Sequence, residues 1–253
     1  MGLFPYRAVI VDFDRTLLHT DKNISDNTVR ILRECCQSGI RLFAATARPE
    51  RTIKAYCNTI AFDAVTTLNG AQTIVGNDVF EVLISKRSAE CILQQLNAMD
   101  GAVISVETGN GFYANIDIPV WKPIVTDNIC SLAGREKIYK ILVSHPQIPA
   151  SRICFDLPED LYSTIADQKL IQIMNQNATK WNGILRMLES FQIQAEQAIY
   201  FGDDNDDIEP ITKCGCGVAV GNALPSVLDI ADYITESNDE DGVAAFLSKL
   251  LKS

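Results

Sequence analysis

Apolar residues follow two patterns along this chain, short unbroken runs and stripes spaced three or four apart, and the patterns alternate. "YRAVIVDF", from Tyr6, is a continuous run rich in Val and Ile, which predicts a strand buried on both faces of a parallel sheet. Ser25 is placed to cap a helix running to about Gln37, with Val29, Leu32 and Cys36 at helical spacing and Gly39 as its stop. "IRLFAAT" predicts a second buried strand, and a Pro49-led segment to about Ile60 the next helix. The C-terminal third repeats the alternation: strand "AIYFGDD", helix "IEPITKC", strand "CGVAVGN", helix "LPSVLDIA", strand "DYIT" and a last helix in "EDGVAAFLSKLL". Strand–helix alternation of this kind predicts an α/β fold, a doubly wound parallel sheet.

The middle of the chain breaks the alternation. Strand-like runs "AVISVET", "GFYANI", "KIYKILVSH", "LYSTIAD" and "LIQIMNQ" come in hairpin pairs, one joined by "TGNG" at Thr108–Gly111. Helices are expected near Ala89–Met99 and Trp121–Ala133. This is an α+β insert, giving a core of residues 1–84 and 179–253 and a second domain of residues 85–178. No repeat or low-complexity segment stands out.

At 253 residues and 47% hydrophobic, the chain can bury a full core. Its net charge of -10 argues against a general nucleic-acid binder or a protein held to anionic membrane, while leaving room for a local cationic pocket that takes a small anion. No apolar run is long enough to span a bilayer, and the N-terminal stretch has no signal-peptide core. Gly2 is not read as a myristoylation site, because Tyr6 stands where Ser or Thr is required. The eight cysteines lack zinc spacing, and Cys214-Gly-Cys216 has no partner pair. Most sit among apolar residues as small hydrophobes, so a reduced, soluble, cytoplasmic protein is expected.

Candidate chemistry gathers at predicted strand ends, where open α/β sheets bind their ligands. Asp12 and Asp14 close the first strand, and a buried carboxylate is costly unless paired or bound to metal. If the chain turns after Asp12, one carboxylate can attack phosphorus and the other move a proton; alternatively Asp14 caps the next segment. "YFGDDNDDIEP" crowds Asp203, Asp204, Asp206 and Asp207 at another strand end, and a hard cation would relieve their repulsion. Oxygen ligands without His or Cys favour Mg2+ over zinc; a solvated or helix-capping loop is the plainer alternative. Thr46, in "FAATARPE", could hold a phosphate oxygen or cap the following helix. Lys180 heads an amphipathic helix, where a cation opposes the helix dipole unless an anion lies nearby. The chain lacks a G-x-x-x-x-G-K-[ST] loop, a G-x-S-x-G elbow and EF-hand spacing, its two histidines are isolated, and "GCGVAVG" is a weak dinucleotide signal.

Taken in order, "DFDRTL", "ATAR", Lys180 and "GDDNDD" resemble the four motifs of the haloacid dehalogenase-like (HAD) phosphohydrolases. "LNGAQTIV", "GNA" at Gly221–Ala223 and "SNDEDGVAAFL" are similar to its Cof-type subgroup, and the insert lies where that family places its class IIB cap. The resemblance spans nearly the whole chain and implies a Rossmann-like core, an inserted cap and a Mg2+-dependent phosphatase acting on small phosphorylated metabolites, sugar phosphates foremost. It implies Asp12 as a nucleophile that forms an aspartyl-phosphate, and Asp14 as the acid and base. Asp12, the carbonyl of Asp14 and Asp203 would hold Mg2+, with Asp207 at the metal, on a metal-bound water or steadying Lys180. Thr46, the Ala47 amide, Lys180 and Asp206 would line the phosphate site.

Three residues depart from the family pattern: Arg15 and Ala47 stand where Gly is usual, and Asp206 where Asn is usual. Arg15 either reaches substrate or points to solvent. Ala47 keeps its amide donor if its φ stays negative. Asp206 would repel a phosphate unless it binds metal or is protonated. Two other functions compete: a phosphomutase or phosphotransferase on the same scaffold, and a non-catalytic binder of a phosphorylated ligand, against which the pair Asp12 and Asp14 argues.

Overall fold

Val9 and Val11 face one side of strand β1 (Ala8–Val11) and Ala8 and Ile10 the other, and all four are fully buried. A strand apolar on both faces needs cover on both, and the rest of its unit supplies it. The computed structural model describes residues 6–166 and 168–252 and divides into two compact units, Met1–Phe80 with Thr179–Ser253, and Glu81–Ala178. Gly2 and Asp167, the latter ending the expected "LYSTIAD" strand, lie outside the described residues.

After β1 the first unit runs through α1 (Asp26–Gln37), β2 (Arg41–Ala45), α2 (Glu50–Thr59), β3 (Ala64–Thr67), β4 (Gln72–Val75) and β5 (Asp78–Glu81). The insert carries α3 (Lys86–Asn97), β6 (Val103–Thr108), β7 (Phe112–Ala114), β8 (Ile124–Val125), α4 (Leu132–Arg135), β9 (Ile138–Ser144), β10 (Leu161–Ala166) and β11 (Leu170–Asn175). The chain then returns with α5 (Lys180–Ser190), β12 (Ala198–Gly202), α6 (Ile208–Lys213), β13 (Cys216–Ala219), α7 (Pro225–Leu228), β14 (Tyr233–Ile234) and α8 (Gly242–Leu250).

The first unit is a single sheet of order β14-β13-β12-β1-β2-β3-β4-β5, parallel from β14 to β3. β4 returns antiparallel to β3, and residues 64–81, to which the apolar pattern assigns no strand, supply three. Helices α1, α2 and α8 cover one face, packing Leu32, Ile53 and Leu247 against Val9, Val11 and Phe201. Helices α5, α6 and α7 cover the other, packing Ile184, Ile211 and Val227 against Ile10, Phe43 and Tyr200. This is the doubly wound arrangement that the alternating pattern predicts. Its helix ends follow local chemistry. The Ser25 hydroxyl accepts from the Thr28 amide at 3.0 Å to start α1, and Gly39 follows its end with a φ of +87°. The Thr179 hydroxyl accepts from the Asn182 amide at 3.1 Å to start α5. Pro49 is the N-cap of α2 rather than a residue of its first turn.

The second unit is a six-stranded sheet, β10-β11-β9-β6-β7-β8, antiparallel except between β7 and β8. Ile92, Leu93 and Leu96 of α3 pack on Ile104, Val106, Ile141 and Ile173. Thr108 closes the "TGNG" hairpin, its amide and hydroxyl both donating to the Gly111 carbonyl at 2.9 Å. Helix α3 starts at Lys86, capped by Ser85, ahead of the expected Ala89. The expected helix at Trp121–Ala133 is not formed. Those residues hold β8, a short 3-10 turn at Ile129–Ser131 and the start of α4. Pro123 removes a helix donor, Lys122 takes a left-handed φ of 49°, and Val120 and Trp121 are exposed, so the apolar spacing there never becomes a buried stripe.

Candidate active site

Three parallel strands of the first unit end side by side. Register pairs Val11 with Ala44 and with Phe201, which puts Asp12, Thr46 and Asp203 just past one edge of the sheet. Asp12 keeps the strand's bonding through its amide, which donates to the Phe201 carbonyl at 3.0 Å. The chain then curls, the Leu17 amide donating back to the Asp12 carbonyl at 3.2 Å.

Lys180, the first residue of α5, lies 5% exposed among these ends. Its ammonium donates to Asp12 Oδ1 at 2.8 Å and to Asp207 Oδ1 at 2.6 Å. Asp207 is fully buried and takes three further donors: the Tyr200 hydroxyl on Oδ1 at 2.5 Å, and the amides of Asp203 and Asp204 on Oδ2 at 2.9 and 3.0 Å. Four donors fill the acceptor sites of a carboxylate. Gly202 presses on the same group: a Cβ there would lie 2.5 Å from Asp207 Cβ and Cγ. Asp207 therefore anchors Lys180 and the turn after β12.

Three buried carboxylates cluster here, Asp12, Asp203 and Asp207 each placing an oxygen within 4.8 Å of the others, and the Lys180 ammonium bonds two of them, Asp12 and Asp207. Burial, with the charges of Asp207 and Asp203, pushes Asp12 well above the usual carboxylate range although Lys180 opposes it. Burial works against the charge on Lys180, but Asp12 and Asp207 outweigh it and hold the ammonium protonated. Burial, then the charge of Asp207, pushes Asp203 up to about 6. A deficit of positive charge in a pocket of oxygen donors suits a hard divalent cation such as Mg2+. Asp12 and Asp203 are better placed to ligate it than Asp207, whose oxygens are already engaged.

The turn after β1 addresses Asp203 as well. The buried Thr16 hydroxyl donates to Asp203 Oδ1 at 2.8 Å, and Arg15 Nε stands 3.6 Å from Asp203 Oδ2. Arg15 is therefore neither extended into solvent nor free of the site, although 55% of its side chain is exposed. Asn222, in "GNA", donates to the Arg15 carbonyl at 2.8 Å, and Asn238, in "SNDEDG", donates to the Leu18 carbonyl at 2.9 Å. Those two segments hold down the turn that carries Asp14.

Asp14 belongs to a different set of contacts. Arg48 grips both its oxygens, Nε to Oδ2 at 2.6 Å and Nη2 to Oδ1 at 2.7 Å, and Lys22 adds a bond to Oδ1 at 2.8 Å. Burial disfavours the charge on Asp14, but the bonds from Arg48 and Lys22 outweigh it and hold its pKa down at about 2. Thr46 is buried and its hydroxyl accepts from the Arg48 amide at 3.2 Å, so it does not cap α2. Ala47 is exposed and keeps a negative φ, so a side chain in place of the usual Gly brings no left-handed strain.

Asp206, expected beside a phosphate, accepts a hydrogen bond from the Asn69 side-chain amide and is close enough for its charge to favour the protonated Lys180. An ionised carboxylate only accepts, so it cannot bond a phosphate oxygen directly. Asn69 has a left-handed φ of 56° and its amide donates to the Thr46 carbonyl at 3.1 Å, which ties the β2 and β12 ends together. Arg48, Thr16, Asn69 and Tyr200 were not legible as site residues. Three of them lie in motif segments, but Tyr200 carries no signal beyond a polar atom in a run otherwise apolar.

Residues 9–247 match the haloacid dehalogenase-like hydrolase family. Among curated proteins, the chain is 24% identical to 5-amino-6-(5-phospho-D-ribitylamino)uracil phosphatase YitU of Bacillus subtilis, over 97% of each chain. Among solved structures it resembles the HAD phosphatase BT1666 of Bacteroides thetaiotaomicron, with a TM-score of 0.84 and 22% identity over 96% of this chain and 94% of that one. It also resembles the HAD subclass IIB sugar phosphatase BT4131, with a TM-score of 0.80 and 21% identity over 96% and 98% of the two chains.

Proposed function

Since the chain belongs to the haloacid dehalogenase-like hydrolases, we propose that it is a Mg2+-dependent phosphatase of small phosphomonoesters, sugar phosphates foremost, working through an aspartyl-phosphate on Asp12. The observation that carries this reading is the contact of the Lys180 ammonium with Asp12 at 2.8 Å in a pocket still short of positive charge. The named activities of the relatives, a ribitylamino-uracil phosphatase and a sugar phosphatase, agree in acting on phosphorylated small molecules. The insert is assigned as the cap that selects among them. Eight free cysteines fit a reduced, cytoplasmic setting.

Asp12, Asp203 and the carbonyl of Asp14 would hold Mg2+, which when bound supplies the positive charge that lets an anionic carboxylate approach an anionic phosphate. Asp12 attacks phosphorus. Lys180, the Thr46 hydroxyl and the Ala47 amide take the phosphoryl oxygens, and Asp207 keeps Lys180 in place. Asp14 gives a proton to the leaving alkoxide and later takes one from the attacking water. In the state described Asp14 is ionised, the form the second task needs, with both oxygens clamped by Arg48 and Lys22. The first task requires Arg48 and Lys22 to release it and Asp14 to take up a proton from solvent, which it then passes to the alkoxide. Asp206 is assigned to hold Asn69 and the Thr46 turn, not the phosphate.

Phosphate release across a panel of sugar phosphates, with and without Mg2+, tests the reading. Asp12→Asn is expected to lower kcat by at least ~10³-fold. Equal release by both proteins sinks the nucleophile. Recovery of a rearranged phosphate ester instead of free phosphate would make the protein a mutase.

A further inference from the structure

Arg15 has a φ of 61°, in the left-handed region that favours glycine, so an arginine is held there at a cost in backbone energy. Its two ends are tied to one residue. Arg15 Nη2 donates to the Asn222 carbonyl at 3.0 Å, while the Asn222 side-chain amide donates to the Arg15 carbonyl at 2.8 Å. This grip holds Nε 3.6 Å from Asp203 Oδ2, on the oxygen that Thr16 does not take. Asp203 also shares the carboxylate cluster with Asp12 and Asp207, and the Lys180 ammonium bonds those two. Among the described residues Arg15 is thus the cation that forms an ion pair with Asp203, and with its side chain half exposed it can leave Asp203 by breaking a single side-chain bond to the Asn222 carbonyl.

We infer that Arg15 is a resident counter-ion: it neutralises Asp203 in the metal-free protein, has to yield that carboxylate when a divalent cation binds, and so sets the Mg2+ concentration at which the site fills. The inference rests on the proposed Mg2+ site at Asp203. It makes a polar side chain outside the reacting groups a regulator of metal occupancy.

Calorimetric titration of Mg2+ into the substrate-free protein provides the test. Arg15→Gln removes the charge at similar length, and Arg15→Lys keeps it. Because the pair is half exposed, its contribution is small, and Arg15→Gln is expected to tighten Mg2+ binding about three- to fivefold, with Arg15→Lys within about twofold of the parent. An unchanged Kd in Arg15→Gln overturns the inference while leaving the metal site standing. Equal tightening in both variants also overturns it, since the effect would then come from the lost grip on Asn222. If the parent protein binds no Mg2+, both the inference and the metal reading fall.

Discussion

Tyr200 shows how much a single hydroxyl can arrange. It is fully buried on β12, three residues before Asp203, and packs with Ile10 and Phe43. Its only polar atom donates to Asp207 at 2.5 Å, as the neutral partner to the Lys180 ammonium on the same oxygen. Each donor that satisfies Asp207 lessens its hold on Lys180 and leaves that charge for Asp12. Tyr200→Phe keeps the ring and deletes only the bond. It is expected to destabilise the protein by about 1.5–3 kcal/mol in urea unfolding, the range for a hydrogen bond to a charged group. A loss under about 0.5 kcal/mol would mean that Asp207 does not depend on this donor. The carboxylates and Lys180 were legible from their types and positions, because strand ends in such sheets are where ligands bind. Their partners were less so, because a pairing such as Arg48 with Asp14 is created by a turn, not by spacing.

Among the elements, α5 matters most, since it delivers Lys180. It is set by its Thr179 cap and by Gly183, where a Cβ would lie 2.1 Å from the Thr66 hydroxyl on β3. Gly183→Ala therefore overpacks the contact and lifts the helix. Expected effects are a loss of about 1–3 kcal/mol in stability and a fall in kcat of up to about 10²-fold through displacement of Lys180. Unchanged kcat in the variant would show that α5 can shift without moving the ammonium. Elements such as α1 and β1 are readable because cap, periodicity and burial agree. The segment 121–133 is not, since its apolar spacing imitates a helix while Pro123 and exposed Val120 and Trp121 deny it one. Strands β3, β4 and β5 are only four residues each, and β5 is exposed throughout, which leaves too little pattern to read.

For the molecule as a whole, the acidic pocket makes stability depend on pH, and on whether metal is bound. Asp203 has its pKa raised to about 6 in the folded protein, against roughly 3.9 in an unfolded chain. Between those values the folded state keeps a proton that the unfolded chain has lost. The stability this confers is complete below about pH 4 and is lost as pH rises through about 6. Metal-free protein is therefore expected to gain up to about 3 kcal/mol from this group between pH 7 and pH 4. With Mg2+ the gain should shrink or reverse, because ligation needs the carboxylate ionised. Melting temperatures at pH 7 and pH 5, in EDTA and in excess Mg2+, check both signs. The Asp14 pair acts the other way. Its contribution is present above about pH 4 and disappears as pH falls through about 2.

Strand β1 lies between β2 and β12, with Ala8 opposite both Arg41 and Ala198. One side of it can zip up as soon as the first helix has formed. The other must wait while the ribosome makes the whole insert, so its amides and carbonyls stay wet, and its apolar faces half-covered, for most of translation. The contiguous 81–178 unit has no such delay and can close on its own residues. Asp12 therefore meets Lys180 only after the whole insert has been made, and a nascent chain stalled before residue 198 would offer an open strand edge to any neighbour able to pair with it.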